Sequence, residues 1–517
     1  MTEPPIDLAS LPRRIHDYID RWADEAPDAT AVAELDGRTL TYAQLREASR
    51  ALAQALADYG VRGGDRVLIV NENSIAAVTA LFAASRLDAW AVPVNARLTA
   101  TEIDRIREHA RPRAIAVTGS VSAEARTHAD RYGATEIEIS CIGPLDLVGN
   151  LPADPEPIAQ DGAEQIAVLI YTSGTTGDPK AVMLTHRNLS AVAAISVALR
   201  GTNPKDRVIA VIPISHVFGL ASVFLGAISA GATVQLFARL EPERLADALE
   251  AGASVLQAVP ALFARFIDYL ERSGRDLHAP RLRYLSAGGA PLDIDWKRDI
   301  ERRFGTQLHN GYGLTETSST AGITRIGDNR DDDTIGLPAP SVAIRFVSSK
   351  GVECAPGEVG ECQVNGPNVM KGYYRNREAS RAAFTSDGWL HTGDLGYRLT
   401  DGHMFIVGRS KELIIRSGFN VYPIEVETAL NSHPDVVYAA VIGRRASGDE
   451  EIIACIELKP GSVTTISDLQ AHAGARLAPY KRPQHIFILD KLPASPTGKI
   501  LKAKLGPLAE TLLKPSV

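Results

Sequence analysis

The sequence predicts an α/β protein with a large N-terminal domain of βαβ-type sheets, a small β subdomain, and a small α+β C-terminal domain. Three observations lead there. Short apolar runs rich in Val and Ile alternate with segments of helical period from residue 66 to about 316, the pattern of parallel strand–helix–strand units. After about residue 334 the alternation gives way to short strands separated by Gly and Pro turns. A third regime opens at Gly408-Arg409-Ser410-Lys411-Glu412 and leaves roughly 105 residues, a sensible size for a domain. At 517 residues, 45% hydrophobic and 23% charged, the chain is too long for one ordinary domain and apolar enough for a large core.

The elements follow in order. Residues 13–60 give an amphipathic helix, then a hairpin whose strands 32–35 and 38–42 flank Asp36-Gly37, then a helix capped by Thr41. Residues 66–70 and 91–94 are buried strands around a helix at 74–86, and a helix at 101–110 leads to a strand at 114–117. Residues 145–163, rich in Pro, Asp and Gly, read as a loop. Strands at 166–170 and 181–184 enclose a turn rich in Gly, Ser and Thr. Next come a strand at 208–212, a helix at about 219–230 and a strand at 233–237. A helix at 243–251 ends at Gly252, and a strand at 254–259 precedes a helix at 260–273. The strand 282–286 then enters the turn Ala287-Gly288-Gly289-Ala290-Pro291. Past residue 412, helices at 425–431 and 466–476 accompany paired strands at 436–441 and 452–457.

Composition restricts the function. The net charge of −7 is modest and dispersed, which argues against a nucleic-acid-binding face. Cys141, Cys354, Cys362 and Cys455 make no zinc spacing, and free thiols are expected because the start, Met1-Thr2-Glu3-Pro4-Pro5, is neither a signal nor a transit peptide. The end, Lys514-Pro515-Ser516-Val517, is no peroxisomal or prenylation address, so a cytoplasmic location is expected. Residues 208–238 carry no charge beyond His216, yet Pro213, Gly219, Gly226 and Gly231 divide them into elements of ordinary length. A buried core is expected there, not a membrane span.

The stretch that organises the chemistry is Tyr171-Thr172-Ser173-Gly174-Thr175-Thr176-Gly177-Asp178-Pro179-Lys180. Its glycines allow close backbone approach, its successive N–H groups and hydroxyls offer donors, and Lys180 adds a point charge. Polyphosphate is the natural guest. The spacing Gly174-x-x-Gly177-x-x-Lys180 differs from a Walker A loop, and a strand rather than a helix follows. Both Ala287–Pro291 and Asn310-Gly311-Tyr312-Gly313-Leu314-Thr315-Glu316 fall at strand ends, where open α/β sheets bind ligands.

These segments resemble the motifs of the adenylate-forming superfamily, in particular acyl-CoA synthetases of the 4-coumarate–CoA ligase type, and the likeness extends over nearly the whole chain. The resemblance implies that Thr172, Ser173, Gly174, Thr175, Thr176, Gly177 and Lys180 form the ATP phosphate loop. It implies that Tyr312 stacks on adenine, that Thr315 touches phosphate, and that Glu316 holds Mg2+. Gly288, Gly289, Ala290, Asn310, Gly311 and Gly313 would run along the nucleotide. In Asp387-Gly388-Trp389-Leu390-His391-Thr392-Gly393-Asp394 the last residue would accept from both ribose hydroxyls, with Arg409 beside it. His216, in Pro213-Ile214-Ser215-His216-Val217-Phe218-Gly219, occupies the family's gate position, and Val217, Phe218, Ser222, Gly288, Gly311 and Leu337 would line the acid pocket.

Lys499, in Pro493-Ala494-Ser495-Pro496-Thr497-Gly498-Lys499-Ile500, matches the adenylation lysine, an electrostatic partner for carboxylate and triphosphate. Acetylation of Lys499 by a lysine acetyltransferase, reversed by a deacetylase, would then switch the enzyme. The family fold implies an N-terminal domain over 1–408, a hinge at 409–411 turning at Lys411, and a mobile C-terminal domain over 412–517. Gly418 would line the tunnel for coenzyme A.

The expected activity is an ATP-dependent, AMP-forming carboxylate–CoA ligase. The segments 213–224 and 287–291 carry no acid, Lys or Arg, so aryl, arylpropenoid or medium-chain acids with uncharged tails are expected over amino acids and dicarboxylates. A stand-alone enzyme loading a carrier protein is the alternative. A non-catalytic nucleotide binder is disfavoured by the joint presence of Lys180, Glu316, Asp394, Arg409 and Lys499, and luciferase-like oxidation shares the motifs.

Overall fold

The computed structural model describes residues 4–172, 180–328, 330–416, 419–446, 449–494 and 500–513. Two large sheets carry the N-terminal part. One has eight strands: four parallel ones at its centre (Ile166–Thr172, Trp90–Asn95, Arg66–Asn71, Ala114–Val117), with antiparallel strands on both flanks. The other has nine, with Leu308–Tyr312, Tyr284–Gly288, Val255–Ala258, Arg207–Ala210, Thr233–Leu236 and Thr30–Ala33 parallel in that spatial order. The strands that read as continuous apolar runs are buried on both faces, as parallel strands between helices must be.

The hydrophobic pattern explains the packing of the helices. Ile75–Arg86 is buried nearly all round and is capped by Ser74, whose hydroxyl accepts from Ala77 N. Tyr42–Asp58 starts at Thr41 with a reciprocal Thr41–Gln44 capping box. Pro260–Ser273 begins on its proline and ends at Gly274 with φ +66°. These helices and the faces of both sheets share one core that includes Phe82, Phe224, Phe263 and Phe266.

The apolar stretch 208–238 is core, as expected. Its helix is wound as a π-helix over Phe218–Leu225 and passes into an α-helical turn at Gly226–Ser229. No helix among the described residues is long and apolar enough to cross a membrane. The loop expected over 145–163 is corrected at its start. Gly143–Val148 is a strand, paired antiparallel with Ala114–Val117 and Thr135–Ile139. Leu145 and Leu147 point into the core, and the intervening Asp146 is tolerated because Arg126 Nη1 (2.7 Å) and Gly119 N (3.2 Å) satisfy its carboxylate. The helices Ala123–Tyr132, His186–Arg200 and Ile294–Phe304 were outside the sequence reading.

The small β subdomain is an antiparallel sheet ordered Ala343–Val347, Gly360–Asn365, Leu390–Arg398, Met404–Arg409. The C-terminal part contains a three-stranded sheet (Val436–Ala446, Asp449–Leu458, His485–Leu489) with the helices Pro423–Asn431, Ile466–Arg476 and Lys502–Leu512. All four cysteines are free thiols.

Candidate active site

The polar half of the site forms where the nine-stranded sheet meets the β subdomain. Leu308–Tyr312 delivers Tyr312 at the carboxyl end of a parallel strand. The ladder between Leu390–Arg398 and Met404–Arg409 sets Asp394 directly opposite Arg409. Tyr312 Oη donates to Asp394 Oδ2 at 2.7 Å, and Arg409 Nε lies 3.0 Å from Asp394 Oδ1. Asp394 is only 3% exposed, so a phenol and a guanidinium hold a buried carboxylate in one orientation. Burial, then the Cys362 thiol and Asp394, push the Tyr312 phenol well above its ordinary pKa, and it stays a neutral donor. Burial opposes the charge on Arg409, but Asp394 and then Glu412 outweigh it and raise its pKa.

A second cluster joins the two large sheets. Thr315 and Glu316 lie on the 3-10 turn Thr315–Thr317. The chain doubles back after Gly313 so closely that a Cβ there would sit 2.0 Å from Ser319 O. Ser318 and Ser319 complete the reversal with φ of 51° and 87°. Tyr373 Oη donates to Glu316 Oε1 at 2.8 Å, while Lys180 Nζ stands 5.0 Å from the centre of the Tyr373 ring. Tyr373 thus bridges Lys180 and Glu316. Sequence reasoning missed it, because Lys371-Gly372-Tyr373-Tyr374 has no spacing that sets it apart; its place comes from the antiparallel pairing of Gly372–Tyr373 with Lys180–Thr185. Burial and then Glu316 hold the Tyr373 phenol above its usual pKa. Among the described residues no cation forms an ion pair with Glu316, whose carboxylate keeps acceptor capacity suited to a hard cation such as Mg2+.

Thr172 pairs with Lys180 across the ladder, at the two ends of the segment expected to hold phosphate. Ser173, Gly174, Thr175, Thr176 and Gly177 lie outside the described residues, as do Gly418 and Lys499. Gly289, at φ +81°, and Ala290 follow the end of the strand Tyr284–Gly288. Asn310 is less available than its neighbours. Its Nδ2 donates to the carbonyls of Asp333 (3.1 Å) and Thr334 (3.0 Å), and so clamps the entry to the β subdomain. Lys411 sits on the 3-10 turn Ser410–Glu412, where Ser410 Oγ donates to Gly393 O at 3.1 Å.

The apolar half forms one register row. Gly288 pairs with Gly311, Gly311 with Ile323, and Ile323 with Leu337. A Cβ on Gly288 would lie 3.4 Å from the Phe218 ring and 3.3 Å from Gly311 O, so the glycine lets that ring pack close over the strand. His216 is half-buried two residues before the π-helix, its carbonyl accepting from Leu220 N at 2.9 Å, and Val217 is buried beside it. Ser222 departs from expectation. Its hydroxyl and carbonyl both accept from the buried Arg200, at 2.5 and 2.6 Å. A charge from outside the segments 213–224 and 287–291 therefore reaches the predicted pocket lining.

Residues 19–374 match the family model described as AMP-binding enzyme, and residues 425–499 match that of the AMP-binding enzyme C-terminal domain. The chain is 33% identical to an indoleacetate–CoA ligase of Aromatoleum aromaticum, covering 94% of this chain and 96% of that one. It is 34% identical to a feruloyl-CoA synthase of an Amycolatopsis species, over 94% and 97% of the two chains. Among solved structures it superimposes with a TM-score of 0.81 on the O-succinylbenzoate coenzyme A synthetase of Bacillus subtilis in complex with ATP and magnesium ion, at 29% identity over 95% and 99% of the chains.

Proposed function

Because the chain belongs to the AMP-binding enzyme family and is an AMP-forming acid–CoA ligase, we propose that it activates an aryl, arylpropenoid or medium-chain acid with an uncharged tail. ATP and coenzyme A are its co-substrates. A carboxylate oxygen bonds to the α-phosphorus as the bond to pyrophosphate breaks. The thiol sulfur of coenzyme A then bonds to the acyl carbon, the bond to AMP breaks, and the thiol proton passes to solvent.

In this reading Asp394 accepts from the ribose hydroxyls and Arg409 closes the other side of the ribose. Tyr312 stacks on adenine with its ring anchored through the Asp394 bond, and Gly288, Gly289, Ala290, Gly311, Gly313 and the backbone of Asn310 follow the base. Thr172 through Gly177, Lys180 and Thr315 hold the phosphates. Bound magnesium neutralises phosphate charge, and Glu316 is the residue that would hold it. Lys499 stabilises the adenylation transition state, and His216 gates the acid. Lys411 is the hinge between domains at 1–408 and 412–517, and Gly418 borders the pantetheine arm. The named relatives are CoA ligases, which leaves loading of a carrier protein without support.

The observation that carries the substrate reading is the register row Gly288–Gly311–Ile323–Leu337, which holds no charged residue and has the Phe218 ring packed over Gly288. A panel of carboxylic acids assayed for AMP release with ATP, Mg2+ and coenzyme A tests it. Aryl, arylpropenoid or medium-chain acids with uncharged tails should have the highest kcat/KM. An amino acid or a dicarboxylate in first place would refute the proposal.

A further inference from the structure

The ladder between Gly360–Asn365 and Leu390–Arg398 goes out of step at one place. Gln363 pairs with His391 and Glu361 with Leu395, so the single residue Cys362 stands opposite Thr392, Gly393 and Asp394. A bulge of this kind withdraws backbone groups from the ladder and re-aims a side chain. The last bulged residue is Asp394, the carboxylate that Tyr312 and Arg409 hold. Gly393 makes the turn at φ +71°, a conformation that a residue with a side chain rarely adopts.

Backbone groups withdrawn from a ladder need other partners, and side chains supply them. The Thr392 hydroxyl donates to Cys362 O at 2.6 Å and accepts from Asp394 N at 3.1 Å. Ser410 Oγ donates to Gly393 O, and Gly393 N donates to Glu361 Oε1 at 3.3 Å. The second oxygen of Glu361 is itself held. Oε2 lies 2.8 Å from His391 Nδ1 and accepts from Gln363 Nε2 at 3.2 Å. Gln363 Oε1 in turn accepts from Arg345 Nε at 2.9 Å. Glu361 therefore reaches across the strand pair, from an ordered polar row, to the glycine immediately before Asp394. Glycine is the joint with the most backbone freedom, so a bond at its N–H bears directly on where the next side chain points.

We propose that Glu361 is a positioning residue for nucleotide binding: its carboxylate holds the Gly393 N–H and so aims Asp394 at the ribose hydroxyls. This rests on the assignment of Asp394 to the ribose under the proposed function, and it does not depend on which acid is activated. Glu361 acts through Gly393 and Asp394 and makes no contact with the nucleotide itself.

Isothermal titration of the full chain with ATP, 2′-deoxy-ATP and 3′-deoxy-ATP, each with Mg2+, tests it without any acid. A hydrogen bond to a carboxylate changes affinity by about 10-fold or more, so the wild type should bind ATP tighter than at least one deoxy analogue by that factor. If Asp394 is no longer aimed, ATP loses two such bonds and each analogue only one. Glu361→Ala should therefore weaken ATP more than either analogue and bring the ratio close to one. A variant that merely loosened the fold would weaken all three nucleotides alike. Glu361→Gln keeps an oxygen acceptor for Gly393 N and should retain the wild-type ratio within about threefold. If Glu361→Ala does not fold, Glu361→Asp takes its place: one carbon shorter, it withdraws the oxygen from Gly393 N, and the ratio should again fall. An unchanged ratio in Glu361→Ala or its replacement, an equal loss for all three nucleotides, or a Glu361→Gln ratio no better than that of alanine overturns the proposal. Wild-type binding that does not distinguish ATP from either analogue overturns the ribose reading of Asp394 on which it rests.

Discussion

Asp394 is held by two donors of different kinds, and removing the weaker one isolates its share. Tyr312→Phe deletes a hydrogen bond to a carboxylate, an interaction of about 1.5–3 kcal/mol. With the ring kept for stacking, KM for ATP should rise by about 10-fold or somewhat more while KM for the acid stays unchanged, measured by ATP–pyrophosphate exchange. A shift in both KM values would mean that Tyr312 acts on the fold and not on the nucleotide. A second prediction concerns His309, whose pKa burial and then Arg200 depress to about 4. Below pH 6.5 the unfolded chain takes up a proton that the folded state refuses, so stability is present above 6.5 and is lost as pH falls toward 4. The full loss from this residue is about 3 kcal/mol. Urea midpoints at pH 7.5 and 5.0 should differ less in His309→Gln than in the wild type, and an unchanged difference would discount the residue.

Single elements carry constraints that no isolated residue shows. The reversal Tyr312–Ser319 works only because Gly313 has no side chain, since a Cβ would overlap Ser319 O. Gly313→Ala must push this turn outward, and Glu316 with it, away from Tyr373. Exchange activity should drop by about 10–100-fold, the scale of displacing positioned groups by an ångström, while thermal unfolding shifts little because the turn lies at a sheet end. A large loss of Tm without a loss of exchange would contradict this. Elements with a strong local signal, such as Pro260–Ser273 with its N-terminal proline and C-terminal glycine, were legible from sequence. The strand Gly143–Val148 was not, because its Pro144 and Asp146 look like loop residues until Arg126 pairs with Asp146 and Pro144 falls at the strand's start, ahead of its pairing with Ala114–Val117.

At the scale of the molecule, the two half-reactions should separate by mutation. Lys499→Ala removes a charge partner of the adenylation transition state and should lower carboxylate-dependent ATP–pyrophosphate exchange by about 10²–10³-fold. The same variant should still convert chemically made acyl-AMP to acyl-CoA. Gly418→Leu should do the reverse, preserving exchange while thioester formation falls and acyl-AMP accumulates, because a branched side chain would obstruct the pantetheine passage. Equal damage to both steps in either variant would argue against two orientations of the C-terminal domain. On the helix Lys502–Leu512, Lys502 pairs with Glu412 beside the proposed hinge (3.0 Å) and with the buried Glu427 (2.7 Å).

The sequence by itself determined the class of chemistry. Asp394, Arg409, Tyr312, Glu316 and Lys180 stand in contiguous motifs whose spacing is local, and the two large sheets follow from hydrophobic runs that can be read in short windows. Only the tertiary structure decided how these motifs are joined and what lies behind them. Tyr373 reaches Glu316 from 57 residues away through a two-residue strand, and Arg200 reaches Ser222 from the end of another helix. Before the fold is known, Arg200 is an ordinary basic residue ahead of a glycine. Burial gives it its meaning, because the cost of an unpaired charge depends on the medium around it, and that medium is assembled from segments distant in the chain.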